Sequence, residues 1–445
     1  MTDLIEYSLP SSFNAEILFR DIVCGLGEQW GQKVLQETNC KSWHHNRLNR
    51  LFLEFSRASR WSTAGKSLSL AIAAHFLTGR WFVDSKTDIY IVSLSTNNKA
   101  AIGKLSDNLI ENGLKQLHIN NSMFPGKGKA QTVLTHPLRK EALTTLSSYG
   151  HDDPSVFASQ LFGVASGLLF LENLKTVRPC IIGVSNDHSP PTYALLAVGK
   201  ALGIPQFYVQ HAPVTQFFPP LSVDLAILND QHSETAYRQA AKRMKVSSNT
   251  RVIVQENYTA PLAGSVSFDA PLRICIALSM YPDLKALREL LTALQHGDKQ
   301  PKITVRPHPR YGGDLQSLNR EPYFSLSNSD EPLDKLIART DLFIVTNSGI
   351  SVELLKRGVP TIYHNPLDHQ GYDYFGLVAG KILPEYPAKT PFDPINIEEL
   401  FDHDWRTRVR GYFSGFQSKP EADGREVREV REWFSARLIE SRNEK

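Results

Sequence analysis

The sequence predicts an α/β protein of two doubly wound parallel-sheet domains facing a cleft, with a helical extension at its start and a helix at its end. Three observations predict it. Short apolar runs rich in Ile and Val alternate with amphipathic stretches, as buried parallel strands alternate with helices. Several of these runs end in polar turns carrying Ser, Asn, Gly or His, the usual composition at the carboxyl end of such a strand. The length, 445 residues with 41% hydrophobic and 21% charged, suits two cored domains of about 200 residues each.

Taken in order, the first stretch, from Ser11 to Arg80, is patterned as helix, with periodic apolar positions in Ala15 to Val23, Arg47 to Phe55 and Leu68 to Leu77. Within it, Ala64-Gly-Lys-Ser67 mimics the end of a phosphate-binding loop, but the first glycine of that motif falls on Arg60 and no buried strand precedes it. His44-His45 lacks a partner ligand at i+4 and reads as a solvated pair, not a metal site. Strands follow at Asp88 to Ser93 and Lys115 to Asn120, separated by a helix from Lys99 to about Asn112. A long helix from Pro154 to about Lys175 leads to a strand at Pro179 to Val184, a helix at Tyr193 to Leu202 closed by Gly203, and strands at Gln206 to Gln210 and Leu225 to Leu228. A helix at Gln231 to Met244 and a last strand near Tyr258 to Gly264 complete the first series.

A second series starts at Leu272 to Leu278 and continues with a helix at Asp283 to His296, a strand at Lys302 to Arg306 and a helix near Leu333 to Arg339. It culminates in strand Leu342 to Val345, turn Thr346-Asn347-Ser348-Gly349, a helix ending at Gly358, and an apolar run through Thr361 to His364. The expected organisation is residues 1–267 as a Rossmann-like domain with a helical extension, 268–400 as a second Rossmann-like domain, and 401–445 as a helical tail. In the tail Val427, Val430, Phe434 and Leu438 share one face of a charged helix.

Net charge is +3, from 49 basic and 46 acidic residues, too balanced for bulk attraction to nucleic acid. The four cysteines have no ligand-like spacing and read as buried thiols of a reducing cytoplasm. There is no signal-peptide pattern and no run of 18 apolar residues. The expectation is a cytoplasmic protein, compatible with peripheral contact at the inner membrane.

Candidate chemistry gathers where strands end. The turn Thr346-Asn347-Ser348-Gly349 opens a helix whose first N–H groups and dipole favour an anion, although Ser348 and Gly349 are also what an ordinary helix start needs. Arg306-Pro-His308-Pro309-Arg310 follows another strand of the same domain, offering three donors on a loop stiffened by two prolines. Read as loops on neighbouring strands, the two together hold a diphosphate or phosphoester. Ser279 ends the first strand of that domain, and Glu353, in the helix after the turn, is placed to accept ribose hydroxyls or to compensate the helix dipole. Across the cleft, Ser185-Asn-Asp187-His188 and Gln210-His211 end two strands of the first domain. A transfer reaction needs a general base there: His211 and Asp187 are the candidates, His188 the third, and Asp187 is alternatively the cap of the next helix.

Together, the Arg-Pro-His-Pro loop, Thr-Asn-Ser-Gly-Ile-Ser-Val-Glu-Leu-Leu, Gly358-Val-Pro360 and the helical tail resemble a GT-B glycosyltransferase. More narrowly, they resemble the bacterial capsule and surface-polysaccharide enzymes that use CMP-sugars, the polysialyltransferases and Kdo transferases. The resemblance covers roughly residues 179–366. It implies a nucleotide-sugar donor, a glycan or glycolipid acceptor, no metal and no separate cofactor. By motif position, His308, Pro309, Ser348 and Gly349 contact the CMP phosphate. The Asp/Glu-Asp-Gly motif that carries the base in the sialyltransferases is missing. His211 instead resembles the histidine ending a strand in the CDP-glycerol polyol-phosphate transferases, which share the Arg-Pro-His-Pro loop. UDP-N-acetylglucosamine 2-epimerases are a third relative, sharing the turn, the Glu-bearing helix and a glycine like Gly264. A non-catalytic GT-B subunit that binds glycan or nucleotide is the remaining alternative.

Overall fold

The computed structural model describes residues 9–29, 63–76, 88–92, 99, 101–103, 105, 118–120, 129–176, 178–186, 189–215, 218–255, 272–280, 282–295, 300–309, 311, 313, 315, 324–328, 330–346, 348–368, 373, 375–386, 400–401, 403–414 and 425–443. Helices α1 (Ala15–Cys24) and α2 (Thr63–Phe76) come first. The phosphate-loop mimic lies inside α2, where the Lys66 ammonium donates to Ser147 Oγ at 2.8 Å. Strands β1 (Ile89–Val92) and β2 (His118–Asn120) follow, then helices α3 (Lys129–Thr135), α4 (Arg139–Tyr149) and α5 (Pro154–Thr176). Next come β3 (Ile181–Val184), α6 (Pro190–Ala201), β4 (Gln206–Val209), β5 (Leu225–Leu228), α7 (Gln231–Arg243) and β6 (Arg251–Val254). These strands form one parallel sheet in the order β2-β1-β3-β4-β5-β6.

The second sheet is built from β7 (Arg273–Ala277), β8 (Lys302–Arg306), β9 (Phe324–Leu326), β10 (Leu342–Val345) and β11 (Thr361–Tyr363), with α8 (Leu284–Gln295) after β7, α9 (Leu333–Ile337) after β9 and α10 (Gly349–Lys356) between β10 and β11. Its order, β11-β10-β7-β8-β9, is parallel throughout. Both orders are those of doubly wound sheets, whose crevices lie where the strand order reverses. The fold is therefore two Rossmann-like α/β domains.

Strands buried on both faces explain the continuous apolar runs. In the first sheet, Tyr90, Val92, Ile182, Val184 and Tyr208 enter the large core under α1, α2 and α5, while Ile89, Ile91, Ile181, Phe207 and Val209 face the other way. That second face is covered by α12 (Arg425–Asn443), whose Val430, Trp433, Phe434 and Leu438 are all buried. Phe207 meets Phe434 edge-on at 4.9 Å between centroids. Helix α11 (His403–Ser414) instead sends Trp405, Val409 and Phe413 into the core of the second sheet. The segment expected as a tail thus serves both layers in turn.

Two short strands were absent from the sequence reading. β6 and β9 close one edge of each sheet, and their exposed or half-buried residues (Arg251, Val252, Val254; Phe324, Ser325, Leu326) dilute the apolar signal. The strand expected near Tyr258 to Gly264, the helix at Arg47 to Phe55 and the pair His44-His45 lie outside the described residues. Among the described residues, Val156–Leu174 is long and apolar enough to cross a membrane, but 83% of it is buried inside the protein, as suits a core helix.

Candidate active site

Strand order decides what meets at the second sheet's carboxyl edge. β7 lies between β10 and β8, so the two anion-compatible loops are not on neighbouring strands as expected but two strand spacings apart, about 10 Å. Ser279, buried just after β7, sits in the gap between them. The reversal of strand order lies between β7 and β10, beside the Thr346–Gly349 turn.

That turn is shaped largely by its own backbone. The Ser348 N–H donates to the Thr346 carbonyl at 2.7 Å, and the N–H and hydroxyl of Ser351 both donate to the Ser348 carbonyl, at 3.0 and 2.7 Å. Ser348 occupies the N-cap position in extended backbone (φ −138°, ψ 142°), yet its hydroxyl makes no capping bond. The helix start therefore lacks its usual side-chain acceptor. At the other end, Gly358 takes φ +65°, and the N–H groups of Gly358 and Val359 close onto the Leu355 and Leu354 carbonyls at 2.9 and 3.1 Å. α10 is tied down at its C-terminus, and its N-terminus carries the positive end of the helix dipole without a side-chain cap from Ser348.

The remaining residues expected on this side are distributed around the edge. His308 is half-buried and its carbonyl accepts from the Tyr311 N–H at 2.8 Å; Pro309 is exposed. Arg306 donates through Nη2 to the Glu331 carbonyl at 2.9 Å, so part of its guanidinium holds the loop before α9. Burial pushes the nearby Cys275 thiol up to about 12, with the charges of Arg306 and Arg339 acting against it. Thr346 is buried, and Glu353 is exposed on α10. Arg310 and Asn347 lie outside the described residues.

On the first sheet, the order reverses between β1 and β3. Ser185, just after β3, is fully buried, and Asn186 Oδ1 accepts from the Ser189 N–H at 2.9 Å. Ser189, not Asp187, takes the N-cap position of α6; Asp187 and His188 themselves lie outside the described residues. His211 follows β4 and is half-buried. Its loop is held from below by Gln210, whose amide Nε2 donates to the Ala212 carbonyl at 2.9 Å and to Ser233 Oγ at 2.8 Å, while Oε1 accepts from the Asn229 N–H at 2.8 Å. Ser233 in turn donates both its N–H and its hydroxyl to Asp230 Oδ1, each at 2.7 Å. Every donor and acceptor in this chain is used in a consistent direction.

The two edges meet. A Cβ placed on Gly349 would lie 3.9 Å from Pro213 Cδ, two residues past His211. Behind this contact, the Lys356 ammonium at the end of α10 reaches Asp230 Oδ2 at 2.9 Å, with side chains 11% and 6% exposed, and lies 5.4 Å from the centre of the Phe413 ring. His232 stacks on Tyr412 of α11 at 4.1 Å, the Tyr412 hydroxyl 2.8 Å from His232 Nε2.

Electrostatics follow from burial. Desolvation alone would raise the Asp230 carboxyl, but the Lys356 charge and the bonds from Lys356 and Ser233 together hold it below the usual range. Burial lowers His232, assisted by Lys356 and opposed by Asp230. Burial, then the charges of Asp230 and Asp373, raises Tyr412. Sequence reasoning missed Asp230, His232, Ser233, Lys356 and Tyr412. Asp230 carried a usable signal, since it follows a strand just as Asp187 does.

The sequence matches no protein-family model and no curated protein. Among solved structures, the fold is similar to the glycosyltransferase SnogD from Streptomyces nogalater (15% identity, 73% of this chain and 96% of that one, TM-score 0.40). It is similar also to Methanocaldococcus jannaschii UDP-GlcNAc 2-epimerase (11%, 78% and 99%, TM-score 0.43) and to Acinetobacter baumannii MurG (12%, 78% and 99%, TM-score 0.42). These are likenesses of backbone course alone.

Proposed function

We propose that this protein is a glycosyltransferase that binds a nucleotide-sugar donor against the Ser348–Gly349 turn and activates its acceptor from the His211 loop. The observation that carries the reading is the approach of Pro213, beside His211, to Gly349 at the N-terminal end of α10. The favoured donor is a CMP-activated acidic sugar of the sialic acid or Kdo type, and the favoured acceptor a glycan or glycolipid of capsule or lipopolysaccharide assembly. Support for that choice is the match of His308, Pro309, Ser348 and Gly349 to the CMP-sugar enzymes' motif. The acceptor hydroxyl oxygen attacks the anomeric carbon while its proton passes to His211, with Asp187 and His188 as alternatives. The bond from that carbon to the phosphate oxygen breaks and its electron pair stays on the phosphate. The developing charge is met by the α10 N-terminus, the turn and His308, with Ser279, Arg306, Arg310, Thr346 and Asn347 around the donor and Glu353 toward its ribose. The nucleotide sugar is itself the substrate, and no further cofactor enters the scheme.

A second reading, transfer of a polyol phosphate from a CDP-linked donor, is favoured by the place of His211 just after β4, where it resembles the histidine at a strand end in the polyol-phosphate transferases. Thermal-shift titration with CMP, CDP, UDP and GDP decides the nucleotide. Stabilisation by CMP or CDP, weakened in His308→Ala, is expected. A selective shift by UDP that His308→Ala leaves intact overturns the CMP reading.

A further inference from the structure

We propose that Asp230 and Lys356 are positioning residues of the transfer site, a buried ion pair between the two domains that sets the gap between His211 and the Ser348–Gly349 turn. The proposal rests on the crevice being the transfer site.

Each partner is coupled to one wall of the crevice. Lys356 is the last residue of α10 and Gly349 the first, so the ammonium and the turn sit at opposite ends of one helix about 10 Å long. Asp230 connects through Ser233 to Gln210, and Gln210 grips the Ala212 carbonyl in the His211 loop. The contact between these two arms is a 2.9 Å ion pair from which water is largely excluded. Apolar surfaces slide at little cost, whereas a desolvated ion pair loses heavily when its partners separate, so the pair defines one register between the domains. Beside it, Val352, Leu377, Phe375 and Phe413 line one small cavity together with Pro213 and Val214, an apolar surround that supplies adhesion without register. Neither Asp230 nor Lys356 needs to touch substrate for this. Displacing the base by about 1 Å from its working position costs on the order of a hundredfold in rate.

The test compares Lys356→Ala, Lys356→Arg and the apolar pair Asp230→Leu/Lys356→Met, the last chosen because packed apolar replacements keep such a site folded. Two readouts are taken: nucleotide affinity against single-turnover rate, and amide hydrogen exchange of residues 211–215 and 348–352 without any ligand. The expected result is faster exchange in both segments and a rate lowered about a hundredfold in Lys356→Ala and in the apolar pair. Affinity should stay within about threefold, and Lys356→Arg should recover most of the rate. Unchanged exchange in both segments, or full turnover in the folded apolar pair, overturns the proposal. A wild-type protein that binds no nucleotide and transfers nothing refutes the transfer reading instead, and the exchange measurement then still decides whether the pair sets the register.

Discussion

The two strand edges that face each other across the crevice are built in opposite ways. On the second sheet, the Thr346–Gly349 turn is folded by bonds within a few residues, and the Ser348 hydroxyl plays no part in capping its helix. On the first sheet, Gln210, Ser233 and Asp230 are engaged with one another, and Asp230 with Lys356 of the other domain. Under the proposed function the edge of the second sheet receives a phosphate, a task that a locally assembled helix start can perform. The edge of the first sheet, which under the same proposal aims a base, is held by a network that reaches across to the other domain. Binding and chemistry are therefore expected to respond differently to mutation.

The largest effect should come from breaking the long-range side. Asp230→Ala leaves Lys356 as a buried charge without its partner, and a loss of about 3–5 kcal/mol in unfolding free energy is expected from denaturant titration; a loss under about 1 kcal/mol would mean that the ammonium finds water. On the local side, Gly349→Val should weaken nucleotide binding about tenfold while leaving stability within about 1 kcal/mol. The Cβ itself has room, 3.9 Å from Pro213 Cδ, whereas two further methyls crowd the turn proposed to receive the phosphate. Calorimetric titration beside thermal unfolding would separate the two effects.

Acid should act on the joint before it acts on the turn. His232 has its folded pKa lowered, so the unfolded chain takes up a proton that the folded one refuses, and stability falls as pH drops below the unfolded value of about 6.5. Asp230, also lowered, contributes stability above its unfolded value of about 4 and loses it as pH falls through the folded one. Among the described residues, the charged and titratable groups that act on His232 are Asp230, Lys356 and Tyr412. Midpoints measured from pH 8 to 5 should decline below about 6.5, and His232→Phe should make that first decline shallower, the remainder belonging to His364, whose pKa burial also lowers; an unaltered curve would place the titration elsewhere. The smallest effect is expected at Glu429, whose half-exposed pair with Arg251 links α12 to β6 at 3.1 Å. Glu429→Ala should cost about 0–1 kcal/mol, against about 3–5 kcal/mol for Phe434→Ala in the same helix.

The same division between local and long-range explains what the sequence disclosed. The β10–α10 unit was readable nearly to the residue, because strand Leu342–Val345, the polar turn and Gly358 are all specified by near neighbours. The apolar face of α12 was readable at Val430, Phe434 and Leu438, but not its destination, since nothing in a helical stripe names Phe207 as its partner. The spacing of the two phosphate-compatible loops was misjudged because strand order is set by how helices cross over, which local pattern does not encode. Asp230 and Lys356 stayed hidden for a related reason: each is an ordinary residue on its own element, an N-cap and the last residue of a helix, until the domains dock.

The division of labour across the crevice is tested most directly by one paired measurement on His211→Ala: nucleotide dissociation constant and single-turnover transfer rate, in the same preparation. An affinity within about threefold of wild type and a rate reduced by about 10²–10⁴ are expected. Wild-type turnover, or a loss of nucleotide affinity as large as the loss of rate, would contradict that division.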